Sequence, residues 1–435
     1  MQMIAVLGTG MAGLGAAHAL ADQNVGCTVY EKDAYYGGHT ASFAHPNGFL
    51  FDVGPHVSFT KNERIQNLFA ENVGQQYERL PARLNNYWHG YWITHPAQVN
   101  LYGLPTELVV RIIRDFVDVH ATEAGEINNY EDWLLAAYGR TFAETFPIVY
   151  GRKYHTTTPD NMATEWLGPR MYRPSLEEVL RGALAPEPIT EVHYVTNFRY
   201  PSHGGFGAYV RPIAECADVR LCHELVGLDP RTRELRFANG AVDGYDQVVS
   251  SVPLPDLIPL IDQAPQDVVD AARRLAFTTV VLVNLGIDRP DLSTSHISYF
   301  YDEDLIFPRL SFPHLLSPNN VPSGNGSIQA ELYFSDKYKP LTGAPEALIP
   351  RVIGDLQKVG ILRESDAILF QEARVSRYAN VIYDLERADA VKTVHGFLDE
   401  VGIRYCGRYG RWDHSWTDES FVSGEEAAHA ALDAL

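Results

Sequence analysis

Residues 3–20 read MIAVLGTGMAGLGAAHAL, and this stretch decides the fold. Its first apolar residues, 3–7, predict a short strand that ends in a glycine-rich turn. The alanine-rich residues 11–22 predict a helix, and CTVYE at 27–31 predicts a second strand. A strand, a helix and a strand in this order predict the βαβ unit that opens a Rossmann-type sheet.

The turn between the first strand and the first helix carries Gly8, Gly10 and Gly13 in the pattern G-x-G-x-x-G. Gly8 permits a tight turn, Gly10 lets a pyrophosphate approach the backbone, and Gly13 lets the helix pack on the strand. Met11 and Ala12 open the helix, whose free N–H groups favour phosphate oxygens. The turn therefore predicts a dinucleotide site.

The second strand ends on Glu31, 18 residues beyond Gly13, where a carboxylate can accept both hydroxyls of a ribose. A second glycine pair, Gly37 and Gly38, follows and precedes His39. Such a pair lets the chain double back against a long, extended dinucleotide. This arrangement resembles that of FAD-binding proteins rather than that of nicotinamide dehydrogenases, and the resemblance implies FAD; a plain surface turn is the structural alternative.

Residues 405–432, YCGRYGRWDHSWTDESFVSGEEAAHAAL, form the other chemically dense segment. Gly407, beside Arg408, predicts a loop that runs along the cofactor, and Asp418 is a candidate partner for ribityl hydroxyls. We expect the terminal helix to begin near Gly424 and to direct its N-terminus at the flavin ring. The helix dipole would then stabilise negative charge there by about 0.3–1 kcal/mol.

The bulk composition narrows the class of protein. A chain of 435 residues is longer than chains that fold around a single hydrophobic core, so we expect two lobes. A formal net charge of −20 disfavours a nucleic-acid partner but allows an anionic small molecule held by local arginines. The four cysteines form no CxxC pair, and we predict no metal site. No apolar run reaches about 18 residues, and a strand starting by Met3 leaves no room for a signal peptide, so we expect a cytoplasmic protein without a membrane span.

The order of the elements predicts an α/β protein in which a Rossmann-type FAD-binding domain is interleaved with two other lobes. We assign residues 1–86, 192–256 and 395–435 to the FAD-binding domain. Helical periodicity in PTELVVRIIRDFVDV and YEDWLLAAYGRTFAETF predicts a helical substrate lobe over 87–191. Strand-like stretches predict a substrate lobe with a mixed or antiparallel sheet over 257–394.

These elements resemble flavoproteins of the UDP-galactopyranose mutase, protoporphyrinogen oxidase and amine oxidase superfamily. The FAD-binding segments at both ends are shared throughout that superfamily, so they do not identify the reaction. Residues 53–69, VGPHVSFTKNERIQNLF, resemble the mutase loop that brings a histidine over the flavin, and His56 takes that position. Phe59 and Thr60 stand where the family often has a second histidine.

The stretch 149–174, VYGRKYHTTTPDNMATEWLGPRMYRP, resembles the mutase segment in which an aromatic ring stacks on uracil and an arginine follows. The resemblance implies Tyr150 as the aromatic and Arg170 or Arg173 as the arginine. His155 stands where the mutases usually have tryptophan, so the resemblance implies an altered choice of substrate.

Two later stretches extend the resemblance. Residues 302–316 resemble the mutase strand whose arginine meets the sugar diphosphate, here Arg309, and an arginine fork suits a phosphate group. Residues 377–387, RYANVIYDLER, resemble the tyrosine-bearing stretch before the last flavin motif, with Tyr378 and Tyr383 as candidates. The structural alternatives are an ion pair for the arginine and core packing for the tyrosines.

The resemblance implies an FAD-dependent mutase that interconverts the pyranose and furanose forms of a nucleotide-diphosphate sugar. In that family reduced FAD forms an N5 adduct with the sugar, and no net redox change occurs. His56, Arg170 and Arg309 would then be catalytic, whereas Tyr150, His155, Arg173, Tyr378 and Tyr383 would bind the substrate. The resemblance also allows a homodimer.

Two other functions fit the same motifs. The first is a flavin oxidoreductase of the amine oxidase or protoporphyrinogen oxidase type, because SGEEAA resembles that branch at least as well. Such an enzyme would have an apolar pocket in place of a diphosphate clamp. The second is a chaperone-like FAD-binding protein without catalytic activity.

Overall fold

A computed structural model of the protein describes residues 3–121, 125–168 and 171–435. The strands are β1 (Ile4–Leu7), β2 (Cys27–Tyr30), β3 (Ser42–Ala44), β4 (Leu50–Asp52), β5 (Tyr77–Pro81), β6 (Leu84–Trp88), β7 (Tyr91–Thr94), β8 (Asn197–Pro201), β9 (Asp218–Arg220), β10 (Leu225–Asp229), β11 (Glu234–Phe237), β12 (Val242–Gly244), β13 (Gln247–Ser250), β14 (Phe277–Ile287), β15 (Ile297–Phe300), β16 (Arg309–Ser311), β17 (Gly326–Phe334), β18 (Ile368–Val381) and β19 (Arg404–Tyr405). The α-helices are α1 (Met11–Asp22), α2 (Glu63–Asn72), α3 (Thr106–Ala121), α4 (Tyr130–Tyr138), α5 (Arg140–Thr145), α6 (Pro147–His155), α7 (Leu176–Leu184), α8 (Arg211–Cys216), α9 (Leu254–Leu257), α10 (Gln266–Arg274), α11 (Pro313–Leu316), α12 (Ile349–Lys358), α13 (Arg387–Glu400), α14 (Gly407–Arg411) and α15 (Thr417–Leu432).

A five-stranded sheet in the order β19-β13-β1-β2-β9 contains the opening glycine motif. All its neighbouring strands are parallel. Every residue of β1 is buried, as expected for a central strand covered on both faces. The sheet takes strands from both ends of the chain and from its middle, so the predicted interleaved Rossmann-type fold is confirmed. The residue boundaries of the lobes stay predictions.

Helices α1 and α15 pack against each other so closely that only glycine fits at the contact. A Cβ on Gly15 would lie 2.2 Å from the carbonyl oxygen of Phe421, and one on Gly424 would lie 1.8 Å from that of Ala12. The first and last helices of the chain therefore form one layer over the parallel sheet.

The predicted start of the terminal helix at Gly424 is wrong. Helix α15 begins at Thr417, with Asp418 in its first turn, so Gly424 lies inside the helix. Glu419 accepts a hydrogen bond of 2.8 Å from the backbone N–H of Trp416, which caps the true N-terminus. The small residues of SGEEAA thus serve packing between two helices and do not open the helix.

A mixed seven-stranded sheet in the order β18-β14-β17-β16-β15-β6-β7 forms the second lobe. Side chains alternate between the faces of each strand. On β17, Ile328 and Ala330 enter an apolar core that also holds residues of α12. Gln329 and Glu331 point to the opposite face, where the Gln329 amide bonds the backbone of Asp52 in β4. This second face meets the FAD-binding lobe, and beside its polar side chains Val280, Leu282 and Tyr333 form a small apolar cluster with Ala41 and Val53.

The helical lobe is built mainly from α3 to α7 around one apolar core. The stretch YEDWLLAAYGRTFAETF, predicted to be helical, folds as two helices, α4 and α5, which meet at Gly139. Gly139 has a φ of 77°, and a Cβ there would lie 2.7 Å from the backbone of Asp115. The break therefore lets the backbones of α3 and α5 approach.

Within residues 3–121, 125–168 and 171–435, no helix combines the length and apolar character needed to cross a bilayer. Those same residues contain no cluster of three or more His, Cys, Asp or Glu side chains that could hold a metal ion.

Candidate functional site

The glycine motif forms an open cradle between β1 and α1. Gly8 has a φ of 96°, and a Cβ there would lie 2.4 Å from the Ser251 hydroxyl oxygen. A Cβ on Gly13 would lie 1.8 Å from the Gly8 carbonyl oxygen, whereas one on Gly10 would meet nothing within 4 Å. Gly8 and Gly13 are thus required by the fold. Gly10 faces free space at the N-terminus of α1, which starts at Met11, and this space fits a pyrophosphate.

The second glycine pair turns back against this cradle. Gly37 and Gly38 have φ values of 103° and 53°, which favour glycine. The N–H of Gly37 donates to the carbonyl oxygen of Thr9 at 3.1 Å. A Cβ on Gly38 would lie 3.2 Å from the Cα of Gly10. The two glycine turns therefore form one surface.

Glu31 lies just beyond β2 with its carboxylate buried. One carboxylate oxygen accepts hydrogen bonds from the N–H and hydroxyl of Thr9, at 3.0 and 2.5 Å, and the other accepts from the N–H of Asp33 at 3.0 Å. An ionised carboxylate has about four acceptor positions, so Glu31 keeps capacity for ribose hydroxyls. Sequence reasoning missed Thr9, which orients this carboxylate from inside the glycine motif.

The C-terminal segment meets the cradle at Gly407, the first residue of the short helix α14, so the loop predicted here is wrong. A Cβ on Gly407, whose φ is 72°, would lie 2.7 Å from the Cβ of Ala12, and its N–H donates to the Ser423 hydroxyl at 2.8 Å. Arg408 donates from Nε and Nη2 to the carbonyl oxygen of Ser415, at 3.0 and 2.7 Å. The two termini therefore meet beside the first turn of α1.

His56 and His39 both lie near Arg408, whose positive charge contributes to lowering the pKa of each imidazole. Burial lowers the pKa of His56 to about 3, with His39 and Arg408 adding to the effect, and burial lowers the pKa of His39 to about 4. His56 Nδ1 lies 3.2 Å from the Gly54 carbonyl oxygen, and His39 Nε2 lies 3.0 Å from that of Arg377. Since a carbonyl only accepts, His56 is a neutral imidazole with the hydrogen on Nδ1 and an acceptor at Nε2.

An aromatic wall lies beside the start of α15. The indole ring of Trp416 packs edge-on against Phe59, with ring centroids 5.0 Å apart, and stacks on Tyr194 at 5.5 Å. Asp418 follows in the first turn of the helix. Phe59 thus contributes to a ring contact at the position where the resembled loop often has its second histidine.

Arg309 lies on the same face of the seven-stranded sheet as Glu331. The strand register sets it opposite Tyr299 on β15 and Glu331 on β17. Its Nε and Nη2 donate to the two carboxylate oxygens of Glu331 at 2.6 Å each, and Tyr333 donates its hydroxyl to the same carboxylate. Burial alone would lower the pKa of Arg309, but Glu331 and Tyr333 raise it well above its ordinary value. Arg309 is therefore a charged, paired arginine.

Tyr150 lies against this pair, one helical turn before Tyr154 on α6. The Tyr150 ring stacks on Tyr154 at 5.4 Å and meets Tyr299 at 5.7 Å. Tyr154 in turn contacts Tyr333 at 4.6 Å. We refer to Tyr150, Tyr154, Tyr299 and Tyr333, with Arg309 and Glu331, as the tyrosine chamber. These side chains combine aromatic faces, hydroxyl groups and one ion pair.

His155 is almost fully buried at the end of α6. Its ring contacts Tyr154 at 5.0 Å and Trp166 at 5.2 Å, and burial lowers its pKa to about 3. Trp166 stacks on His414, and His414 contacts Tyr383 at 4.9 Å. The predicted substrate residues His155 and Tyr383 are thus joined through Trp166 and His414, next to the tyrosine chamber.

Tyr378 does not join this group of rings. It lies in the apolar core, where its ring packs on Phe277 at 4.1 Å and its hydroxyl donates to Asp256 at 2.5 Å. Core packing, the structural alternative, accounts for Tyr378, and its contacts do not support the predicted role in substrate binding.

The structure describes only one of the two arginines that were predicted beside the nucleotide. Arg173 is exposed, and its guanidinium lies 4.7 Å from the ring centroid of Trp133 in the helical lobe. This placement does not support a substrate contact for Arg173. Arg170 lies outside the described residues, so its role stays a prediction.

Acid should destabilise the folded protein, because its buried histidines are neutral. The pKa of His155 is about 3 in the folded chain, and an unfolded histidine has a pKa of about 6.5. As the pH falls, the unfolded state therefore takes up protons before the folded state does. The free energy of unfolding is unaffected by the titration of these histidines above about pH 6.5 and falls as the pH drops toward 4. We expect the thermal midpoint to fall steadily over this range.

The control for this experiment is the exposed His203. His203→Gln should reproduce the acid profile of the parent protein, whereas His155→Phe should make the fall smaller, since His39, His56 and His296 keep their lowered pKa values. A thermal midpoint that stays constant from about pH 7 to about pH 4.5 would contradict the assignment of neutral buried histidines.

The cradle, the second glycine turn and the joined termini define a dinucleotide-binding protein with a Rossmann-type sheet. Residues 6–71 match a family model described as an NAD(P)-binding Rossmann-like domain. Residues 156–432 match the model of the flavin containing amine oxidoreductases. The chain belongs to the flavin containing amine oxidoreductase family.

Solved structures resemble the whole chain. A reduced UDP-galactopyranose mutase is 24% identical, has a TM-score of 0.94 and is matched over 100% of this chain and 96% of its own. A protoporphyrinogen oxidase candidate from Exiguobacterium is 15% identical, with a TM-score of 0.75 and 99% of each chain covered. A putrescine oxidase is 14% identical, with a TM-score of 0.65 and 99% of each chain covered. At these identities the likeness shows the fold alone.

Proposed function

We propose that the protein is an FAD-dependent mutase that interconverts the pyranose and furanose forms of a nucleotide-diphosphate sugar. The observation that carries this proposal is the whole-length likeness to a UDP-galactopyranose mutase. Its TM-score of 0.94 exceeds the 0.75 and 0.65 of the two oxidase-type structures. The tyrosine chamber adds support, because aromatic faces and hydroxyl groups together suit a sugar ring better than a purely apolar substrate.

The residues of the cradle would hold the cofactor by its diphosphate and ribose. The N–H groups at the start of α1 would donate hydrogen bonds to the pyrophosphate oxygens in the space beside Gly10. The carboxylate of Glu31 would accept hydrogen bonds from the ribose hydroxyls. Reduced FAD, once bound, would supply a nucleophilic ring nitrogen and covalent catalysis without net redox change. Neutral His56 would accept a hydrogen bond from a donor group of the substrate at Nε2.

The tyrosine chamber would orient the sugar and its diphosphate. Among described residues, Arg309 hydrogen-bonds through Nε and Nη2, which leaves Nη1 for a phosphate oxygen. Because Glu331 already balances the charge of Arg309, one paired arginine does not neutralise a diphosphate. We therefore propose Arg170 as the second cation. The cytoplasmic location and the homodimer stay predictions from the sequence.

The mutase activity can be tested with the holoprotein and UDP- or TDP-hexoses. Protein reduced with dithionite should convert a pyranose substrate to its furanose without consuming reductant, and oxidised protein should be inactive. Proton NMR of the anomeric region separates the two forms. The proposal fails if every nucleotide sugar is inert while an amine or a porphyrinogen reduces the flavin.

Net oxidation is the second candidate function, and two observations favour it. The family model that covers residues 156–432 is that of amine oxidoreductases. In addition, Arg309 is already engaged by Glu331, which weakens a diphosphate clamp. Anaerobic mixing of oxidised holoprotein with amines tests this candidate, since loss of the flavin colour reports hydride transfer directly.

A further inference from the structure

Asp52 ties together three parts of the fold. Its buried carboxylate accepts hydrogen bonds from the hydroxyls of Ser42 at 2.5 Å and Tyr200 at 2.6 Å, and from the N–H of Phe206 at 3.0 Å. A Cβ on Gly205 would lie within 2.6 Å of both Ser42 and Asp52 side-chain atoms. The side chain of Asp52 is therefore fixed by β3, by β8 and by the turn that follows β8.

The backbone carbonyl of Asp52 is held from the other lobe. The side-chain amide of Gln329, buried on β17, donates to this carbonyl at 2.8 Å and to the Asn284 side-chain oxygen at 2.9 Å. Asn284 donates in turn to Glu372 at 3.1 Å. Gln329, Asn284 and Glu372 are direct cross-strand neighbours on β17, β14 and β18, so they form one polar row across the sheet.

The same carbonyl lies at the base of the turn that carries His56. It accepts the N–H of Gly54 at 2.9 Å, and the carbonyl of Gly54 meets His56 Nδ1 at 3.2 Å. Gly54 has a φ of 80°, and a Cβ there would meet nothing within 4 Å. The tip of the turn is thus open, and hydrogen bonds at Asp52 fix the point from which it leaves β4.

We propose that Gln329 is a positioning residue that sets the orientation of His56 toward the bound flavin by holding the carbonyl of Asp52. Glu331, the partner of Arg309, lies two residues further along β17 on the same face. One strand therefore anchors both the tyrosine chamber and the His56 turn. The inference rests on the proposed function, in which His56 acts beside the flavin.

Only a side chain with two N–H donors serves both acceptors. A methionine of similar volume would leave the buried Asn284 oxygen without its donor and the Asp52 carbonyl with the Gly54 N–H alone, so the turn would lose its anchor to the seven-stranded sheet. The fold would keep its apolar cores. We therefore expect the loss to affect the flavin environment and the chemical step more than substrate binding.

The test compares Gln329→Met with Ser311→Ala as holoproteins. Ser311 is the matched control, since it is the cross-strand neighbour of Gln329 on β16 and its buried hydroxyl has no hydrogen-bond partner among the residues that the structure describes. Gln329→Met should bind FAD at parent stoichiometry, shift the flavin midpoint potential and visible spectrum, and lower kcat about tenfold or more. The KM for the nucleotide sugar should change by less than about twofold. Ser311→Ala should match the parent protein in every measurement.

The potential and the spectrum need no substrate, so they test the inference even if the mutase activity is absent. An unchanged potential and spectrum in Gln329→Met overturns it, as does an equal shift in Ser311→Ala. If Gln329→Met does not yield folded holoprotein, Asn284→Ala is measured by the same criteria, because it removes the amide oxygen that orients Gln329.

Discussion

The substitution Gly10→Asp is expected to leave the protein folded but unable to hold FAD. A Cβ at this position meets nothing within 4 Å, and the φ of Gly10 is −67°, which any residue adopts. The new carboxylate would project into the space assigned to the pyrophosphate. Like charges in contact cost several kcal/mol, so we expect the Kd for FAD to rise about a thousandfold.

Gly26→Asp is the matched control for this prediction. Gly26 is exposed, and a Cβ there also meets nothing within 4 Å, but it lies before β2 and away from the glycine turns. Fluorescence titration of each apoprotein with FAD gives the Kd, and thermal unfolding reports the fold. If Gly10→Asp binds FAD with nearly the same Kd as the parent protein, the pyrophosphate does not lie beside Gly10.

Replacement of Arg309 by methionine should have the second large effect. It leaves the carboxylate of Glu331, whose side chain is 2% exposed, without its cation. Removing one partner of a buried pair costs about 3–5 kcal/mol of unfolding free energy. The same change removes the guanidinium proposed to meet the diphosphate, so binding of a nucleotide sugar should be lost while FAD stays bound.

The double variant Arg309→Met/Glu331→Met separates these two effects. It removes the uncompensated charge, so it should recover much of the stability lost in the single variant without recovering nucleotide-sugar binding. Arg289→Met is the control, because Arg289 forms a bidentate pair with Asp366 outside the chamber. Denaturant unfolding and calorimetric titration with UDP check both parts. Restored UDP binding in the double variant would show that Arg309 does not contact the nucleotide.

The FAD cradle could be predicted from the sequence because its chemistry is local. The glycines that permit the turn, the helix from Met11 to Asp22 and the carboxylate of Glu31 all lie within one βαβ unit. Steric needs at Gly8 and Gly13 act over a few residues, and the structure has both glycines in such contacts.

The terminal helix shows where local reasoning stops. The small residues around Gly424 allow close packing against α1, which lies at the other end of the chain. The sequence SGEEAA alone does not distinguish small residues inside a helix from small residues at a helix N-terminus. The true start is instead fixed by Glu419, which reaches back to the N–H of Trp416.

The tyrosine chamber depends on strand register, which single residues do not reveal. Arg309 was found by resemblance, but its partner Glu331 is set by the pairing of β16 with β17. The signal that was available is the alternation in GSIQAELYF, which places Gln329, Glu331 and Tyr333 on one face. The contacts of Tyr378 and Arg173 do not support their predicted roles, and a motif position alone does not tell whether a side chain lies in a core or on the surface.

The flavin stoichiometry of the purified protein tests the central claim most directly. Apoprotein mixed with excess FAD and freed of unbound cofactor by gel filtration should be yellow and retain one FAD per chain. FMN, which lacks the pyrophosphate and the adenosine, should not be retained. A protein that stays colourless after this treatment, with no FAD in its denatured supernatant, would contradict the account.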